Sequence, residues 1–188
     1  CEAVAFAVPP DVQAHLAARA ATAGKAVLLE KPIALDLDGA RRLTEAIDAA
    51  GVGSQIVLTW RYAAAVRSFL AEVAAVEPVG GRAHFFSGAG LGGPFATPWR
   101  LDGGMLLDLG PHVIDALDAA LGQVVGVRAH GDLGRWVGLL LEHESGACSE
   151  ASITNRSNVE PPRSGIEILT EDSALDVDTA TVFNGHTL

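Results

Sequence analysis

In the run Gly103-Gly104-Met105-Leu106-Leu107-Asp108-Leu109-Gly110-Pro111-His112-Val113-Ile114-Asp115, a carboxylate and an imidazole stand four residues apart in an apolar stretch. On a helix, residues at i and i+4 share a face, with Cβ atoms about 5–6 Å apart. An Asp buried beside a His can fix the imidazole tautomer and raise its basicity, which is what an acid–base site requires. The plainer reading is a polar pair that closes a core helix. Pro111 cannot donate to Leu107, so it must kink the helix or begin a new one. Asp115, one turn beyond His112, reads as a supporting or capping group. The spacing of Asp108 and His112 also suits a zinc ion. However, His15, His84, His130 and His143 fall in unrelated elements and offer no further ligand, so no metal is predicted.

A second candidate is Glu30-Lys31-Pro32. A residue before proline is pushed out of the α region and held extended. Lys31 would thus be a cation fixed at a strand end, able to hydrogen-bond a ribose or substrate hydroxyl and to favour a neutral imidazole nearby. A cis Lys31–Pro32 bond is expected. Trp99-Arg100 offers an aromatic face and a guanidinium fork, the alternative being loop packing. Gly88-Ala89-Gly90-Leu91-Gly92-Gly93 fits G-x-G-x-x-G in form, but the dinucleotide fingerprint must open a helix. Pro94-Phe95-Ala96-Thr97-Pro98 follows instead, so this reads as a mobile loop near the site.

The elements that position these residues come in two textures. Residues 2–8 read as a buried strand ended by Pro9-Pro10, and Asp11 as the N-cap of a helix carrying Leu16, Ala20 and Ala23. Gly24 closes that helix as a C′ glycine. Residues 26–29 form a second strand, and Asp36 caps a helix with Ala40, Leu43 and Ile47 that stops at Gly51. Residues 54–59 form a third strand. Strand–helix–strand–helix–strand is a right-handed α/β half-sheet. Ligands bind outside the carboxyl ends of such strands, where Pro9-Pro10, Glu30-Lys31-Pro32 and Trp60-Arg61 fall. After Arg61 a helix carries Val66, Phe69, Leu70 and Val73, and a strand covers 82–86. The central helix turns Leu109, Val113, Leu117 and Leu121 inward. Strands near 123–130, 135–142, 146–154, 165–170 and 174–178 then follow with no helix between them, the pattern of an antiparallel sheet. A domain boundary is placed near residue 60, giving domains 1–60 and 61–188.

Composition excludes several classes of function. The chain has 188 residues, 49% hydrophobic and 19% charged, which suits a packed globular protein. Its formal charge of -10 disfavours nucleic acid or an anionic membrane as partner, and no apolar run approaches the roughly 20 residues of a membrane span. Two cysteines without metal or redox spacing, and no signal peptide, fit the cytoplasm. The Asn155-Arg156-Ser157 sequon then has no secretory context. The chain begins at Cys1 directly before the apolar run Ala3–Val8, which reads as a piece of a longer protein.

Together, Val8-Pro9-Pro10 with His15, the run Ala23-Gly24-Lys25-Ala26-Val27-Leu28-Leu29-Glu30-Lys31-Pro32, Arg61, Trp99-Arg100 and Gly103-Gly104 leading to Asp108-Leu109-Gly110-Pro111-His112 resemble the glucose–fructose oxidoreductase / inositol dehydrogenase / MocA (Gfo/Idh/MocA) family. The resemblance implies the second half of a Rossmann domain followed by an α+β domain with a mostly antiparallel open sheet. It implies NAD or NADP as cofactor, with Pro9, Pro10, Glu30, Lys31, Arg61, Trp99 and Arg100 along it. Lys31, Asp108 and His112 would be catalytic, His112 exchanging a proton with the hydroxyl of a small polyol substrate. A hydride would pass to or from a secondary alcohol carbon of a sugar or cyclitol. The resemblance also implies a homo-oligomer through the open sheet face. A non-catalytic relative that senses a dinucleotide or sugar is the alternative. The strand 1 glycine fingerprint and the acidic residue that follows it are absent from this sequence.

Overall fold

A computed structural model describes residues 1–180. They divide into two compact units, Cys1–Leu58 and a second that begins at Thr59.

In the first unit, β1 (Ala3–Ala5), α1 (Pro10–Thr22), β2 (Ala26–Glu30), α2 (Leu37–Ala50) and β3 (Ser54–Val57) alternate. The strands form a parallel sheet in the order β1-β2-β3. Val27 and Leu29 of β2 point to one face and pack against Ala17 and Ala21 of α1 and Leu43 and Ile47 of α2. Leu28, pointing the other way, is 41% exposed, so the helices cover one face only.

Three expectations need correction here. The first strand is shorter than residues 2–8 and is not buried: Ala3 and Ala5 are exposed because β1 has one neighbouring strand among the described residues. The helix begins one residue before Asp11, with Pro9 at the N-cap and Pro10 at N1, where the fixed proline φ suits the first turn. Its fully buried positions include Gln13, Ala17 and Ala21; of the expected Leu16, Ala20 and Ala23 only Ala20 packs, partly buried, against that core, because hydrogen bonding lets a polar residue occupy the inward position. By contrast, α2 is capped as expected. Asp36 Oδ1 accepts from Gly39 N at 2.6 Å, and Gly51 adopts the left-handed conformation at φ 61.

In the second unit, a 3-10 turn (Thr59–Tyr62), not a continued strand, leads into α3 (Ala64–Val73). β4 (Gly80–Phe86), α4 (Pro98–Asp108), α5 (Gly110–Leu121), β5 (Val124–Asp132), β6 (Trp136–His143), β7 (Cys148–Thr154), β8 (Arg163–Leu169) and β9 (Ala174–Asp178) complete it. The six strands lie in the order β5-β6-β7-β4-β8-β9. All pairings are antiparallel except β4 with β7, which is parallel. The core brings Val113, Ala116, Leu117 and Leu121 of α5 onto Phe85, Leu139, Leu141, Ile153 and Ile168 of the sheet, with Val66 and Phe69 of α3. The opposite sheet face bears Arg82 and Leu140 and stays open. No helix among the described residues is long and apolar enough to cross a membrane.

Candidate active site

Both units carry predicted residues. In the first, they stand at the carboxyl ends of β1 and β2. The Pro9 carbonyl accepts the Gln13 N–H at 2.9 Å, starting α1. Gln13, fully buried, reaches from that helix to the end of β2. Its Nε2 donates to the carbonyls of Glu30 at 2.7 Å and Pro32 at 3.3 Å, and its Oε1 accepts from Glu30 N at 2.8 Å. Lys31 sits between the two residues so held, half-buried, and Lys31–Pro32 is cis as expected. Gln13 was not singled out by its residue type. The available signal was its spacing of four from Ala17 and eight from Ala21, which sets it on the inward stripe. His15, two residues on, is exposed.

In the second unit the site forms at the junction of α4 and α5. The chain breaks twice there. Gly104 takes φ 71, and a Cβ on it would stand 2.9 Å from Leu133 Cβ and 3.0 Å from Leu133 O. Pro111 then lies in the first turn of a new helix rather than at a kink. Asp108 therefore ends α4 and His112 lies in the first turn of α5, both buried, at 6% and 3% exposure.

The cations around this junction are paired. Arg100 Nε lies 3.1 Å from Asp108 Oδ1, and its guanidinium also covers the Trp99 ring at 4.4 Å. Arg61 makes a fork with Asp115, Nε to Oδ2 at 2.7 Å and Nη2 to Oδ1 at 3.1 Å. That hydrogen bond raises the Arg61 guanidinium above its ordinary pKa, outweighing its partial burial. Trp60, buried beside Arg61, stacks on Phe85 at 5.7 Å and on the His112 imidazole at 5.8 Å between centroids. The value of Trp60 to the site was not legible in the sequence, since β4 and α5 meet it only through tertiary packing.

The Gly88–Gly93 loop opens no helix among the described elements. Its centre is held by hydrogen bonds to the segment at Asn155 and Arg156. Gly90 is buried, its N–H bonds Asn155 O at 2.8 Å, and its carbonyl accepts from Arg156 at 2.6 Å. A Cβ at Gly90 would lie 2.6 Å from Asn155 Oδ1. Among the described residues no group of three or more His, Cys, Asp or Glu is gathered for a metal. A cleft of about 770 Å³ on the open sheet face, lined by His84, Phe86, Arg163 and Asp178, contains none of the predicted site residues.

A βαβαβ unit with polar and rigid residues at its strand ends, joined to an open mostly antiparallel sheet carrying a buried Asp–His junction, defines a class. Residues 1–56 match the model of an oxidoreductase family with an NAD-binding Rossmann fold, and residues 63–175 match the Gfo/Idh/MocA C-terminal domain. The chain belongs to the Gfo/Idh/MocA oxidoreductase family. An uncharacterised protein of Saccharomyces cerevisiae is 28% identical over 133 residues, 65% of this chain and 37% of that protein. An oxidoreductase domain protein from Kribbella flavida is 25% identical with a TM-score of 0.83, covering 96% of this chain and 56% of its own. Levoglucosan dehydrogenase, solved with NADH and L-sorbose, shares the fold at 20% identity and a TM-score of 0.81, over 94% of this chain and 54% of its own. The chain thus spans little more than half, or less, of the relatives it matches.

The first unit fits part of a dinucleotide site. The residues that follow β1 and end β2, Pro9-Pro10 and Glu30–Pro32, lie on the rim where such sheets take ligands. The glycine turn that would cradle a pyrophosphate is not among the described residues.

Proposed function

We propose that the protein is an NAD(P)-dependent oxidoreductase acting on a secondary alcohol carbon of a sugar, cyclitol or related polyol, with His112 as general acid–base. The observation that carries this reading is the α4–α5 junction. There a buried imidazole stands next to the turn that ends in Asp108, whose carboxylate is oriented by Arg100. In the oxidising direction His112 takes the hydroxyl proton; in the reducing direction it returns it. Asp108 orients the substrate or the imidazole. Lys31 presents a cation and hydrogen-bond donor at the end of β2 and, with Pro9, Pro10 and Glu30, borders the cofactor, as do Trp99 and Arg100. Bound NAD or NADP supplies the hydride chemistry.

The cytoplasm suits the two exposed free cysteines. A homo-oligomer would cover the open sheet face of the second unit, where Trp136 and Leu140 are exposed at 46% and 44%. Light scattering on wild type and on Leu140→Glu tests this, with dissociation expected in the variant.

The decisive assay follows nicotinamide absorbance in the whole protein across a panel of sugars and cyclitols. His112→Ala should lower kcat on the order of 10²–10⁴-fold while cofactor still binds. Undiminished turnover in that variant would remove His112 from the chemistry, and failure to bind either dinucleotide would remove the proposal altogether.

A further inference from the structure

Arg61 stood among the expected cofactor ligands, yet its guanidinium is committed to Asp115 by two hydrogen bonds. Asp115 lies on α5, three residues from His112, so the two are neighbours on the helix surface. Arg61 lies in the 3-10 turn immediately after Trp60, whose ring stacks on the His112 imidazole with 29° between planes. Trp60 is itself held against Phe85 of β4 at 17° between planes. The turn is thus fastened to α5 at two points, by an ion pair at Arg61 and by a stacked ring at Trp60.

We propose that Arg61, Asp115 and Trp60 are positioning residues for His112, and that Arg61 serves the site through Asp115 rather than by binding the cofactor. The inference rests on the acid–base reading of His112. A forked guanidinium–carboxylate pair fixes direction as well as distance, so it sets where the turn lies along α5. With the turn fixed, the Trp60 face bars rotation of the imidazole about its side-chain bonds on that side. Productive proton transfer depends on such placement, and misplacement by about 1 Å can cost up to about 100-fold in rate.

The test uses the whole protein with Arg61→Ala, Asp115→Asn, Trp60→Leu and Trp60→Phe, with circular dichroism as the folding control. Arg61→Lys, which keeps the charge and loses the fork, replaces Arg61→Ala if the latter does not fold. In NMR spectra the His112 ring protons should be shifted upfield by the Trp60 ring. They should move toward unstacked positions in Asp115→Asn, Arg61→Ala and Trp60→Leu, with Trp60→Phe retaining part of the shift. On a substrate that turns over, kcat should fall about tenfold in Arg61→Ala and in Asp115→Asn, with cofactor Kd unchanged. The double variant should be no worse than either single one, because the two residues act as a unit. His112 resonances unmoved in both single variants would overturn the proposal. So would a cofactor Kd raised by Arg61→Ala and untouched by Asp115→Asn, which would return Arg61 to the cofactor. Wild-type turnover in His112→Ala would instead defeat the acid–base reading, while the ring shifts would still report on the clamp.

Discussion

Asp108 and Arg100 show how a single pair can serve both stability and a site. The carboxylate is 8% exposed and the guanidinium 24%, so the pair is largely removed from solvent. Removing one member of such a pair costs more than the pair itself contributes, because the other charge loses a partner away from water. Arg100→Ala should therefore destabilise the protein by about 1–3 kcal/mol, measured as a shift in urea midpoint. It should also lower turnover if Asp108 orients the substrate or His112. Unchanged stability together with unchanged turnover would show that the pair is ornamental. Asp115, expected only as a supporting or capping group, proves to be the partner of Arg61. Nearby, Asp118 ties the end of α5 to the start of β5, its Oδ1 accepting from Val124 N at 2.9 Å.

Two devices at the scale of elements hold the candidate site in shape. Gln13 binds the start of α1 to the end of β2 through three hydrogen bonds, all involving backbone groups flanking Lys31. Gln13→Leu would fill similar space but leave the Glu30 N–H and two carbonyls without that amide. A loss of about 2–3 kcal/mol is expected, along with faster amide exchange at Glu30. Slow exchange there in the variant would show that the amide is dispensable. Gly104 is the second device. Its positive φ and its approach to Leu133 let α4 turn before Asp108. Gly104→Ala should cost about 1–3 kcal/mol and displace Asp108, seen as lost turnover beyond what the stability loss explains.

For the whole molecule, the charge of -10 sets a repulsive background on which individual titrations act. His84 is the clearest case. Burial holds its pKa below the ordinary value of 6.5, and the neighbouring Arg82 adds to the effect, with Asp178 opposing and Arg163 reinforcing it. A histidine whose folded pKa lies below its unfolded one binds fewer protons folded than unfolded within that interval. Stability contributed by neutral His84 is then complete above about pH 6.5 and declines as pH falls through that value toward the lower folded pKa. His84→Gln should flatten the decline below about pH 6.5 in thermal melts. An unaltered pH profile would show that His84 does not carry it.

Local signals made much of the architecture legible. Asp36 with Gly51 bracketed α2, Gly24 closed α1, and the stripe Leu109, Val113, Leu117, Leu121 named the inward face of α5, all buried. The six strands of the second unit were present in the pattern to within a few residues, because alternation and turn residues act over short range. Membership of the family was carried by short motifs in a fixed order, each of them local. What the sequence could not decide depended on residues brought together from far along the chain. The parallel pairing of β4 with β7 inside an antiparallel sheet joins residues 68 positions apart. The engagement of Arg61 by Asp115 spans 54 positions, and the Trp60 stack on His112 and the burial of Gln13 are of the same kind. Such partners are chosen by packing and by the need to satisfy buried polar groups, so only the folded chain reveals which charge meets which.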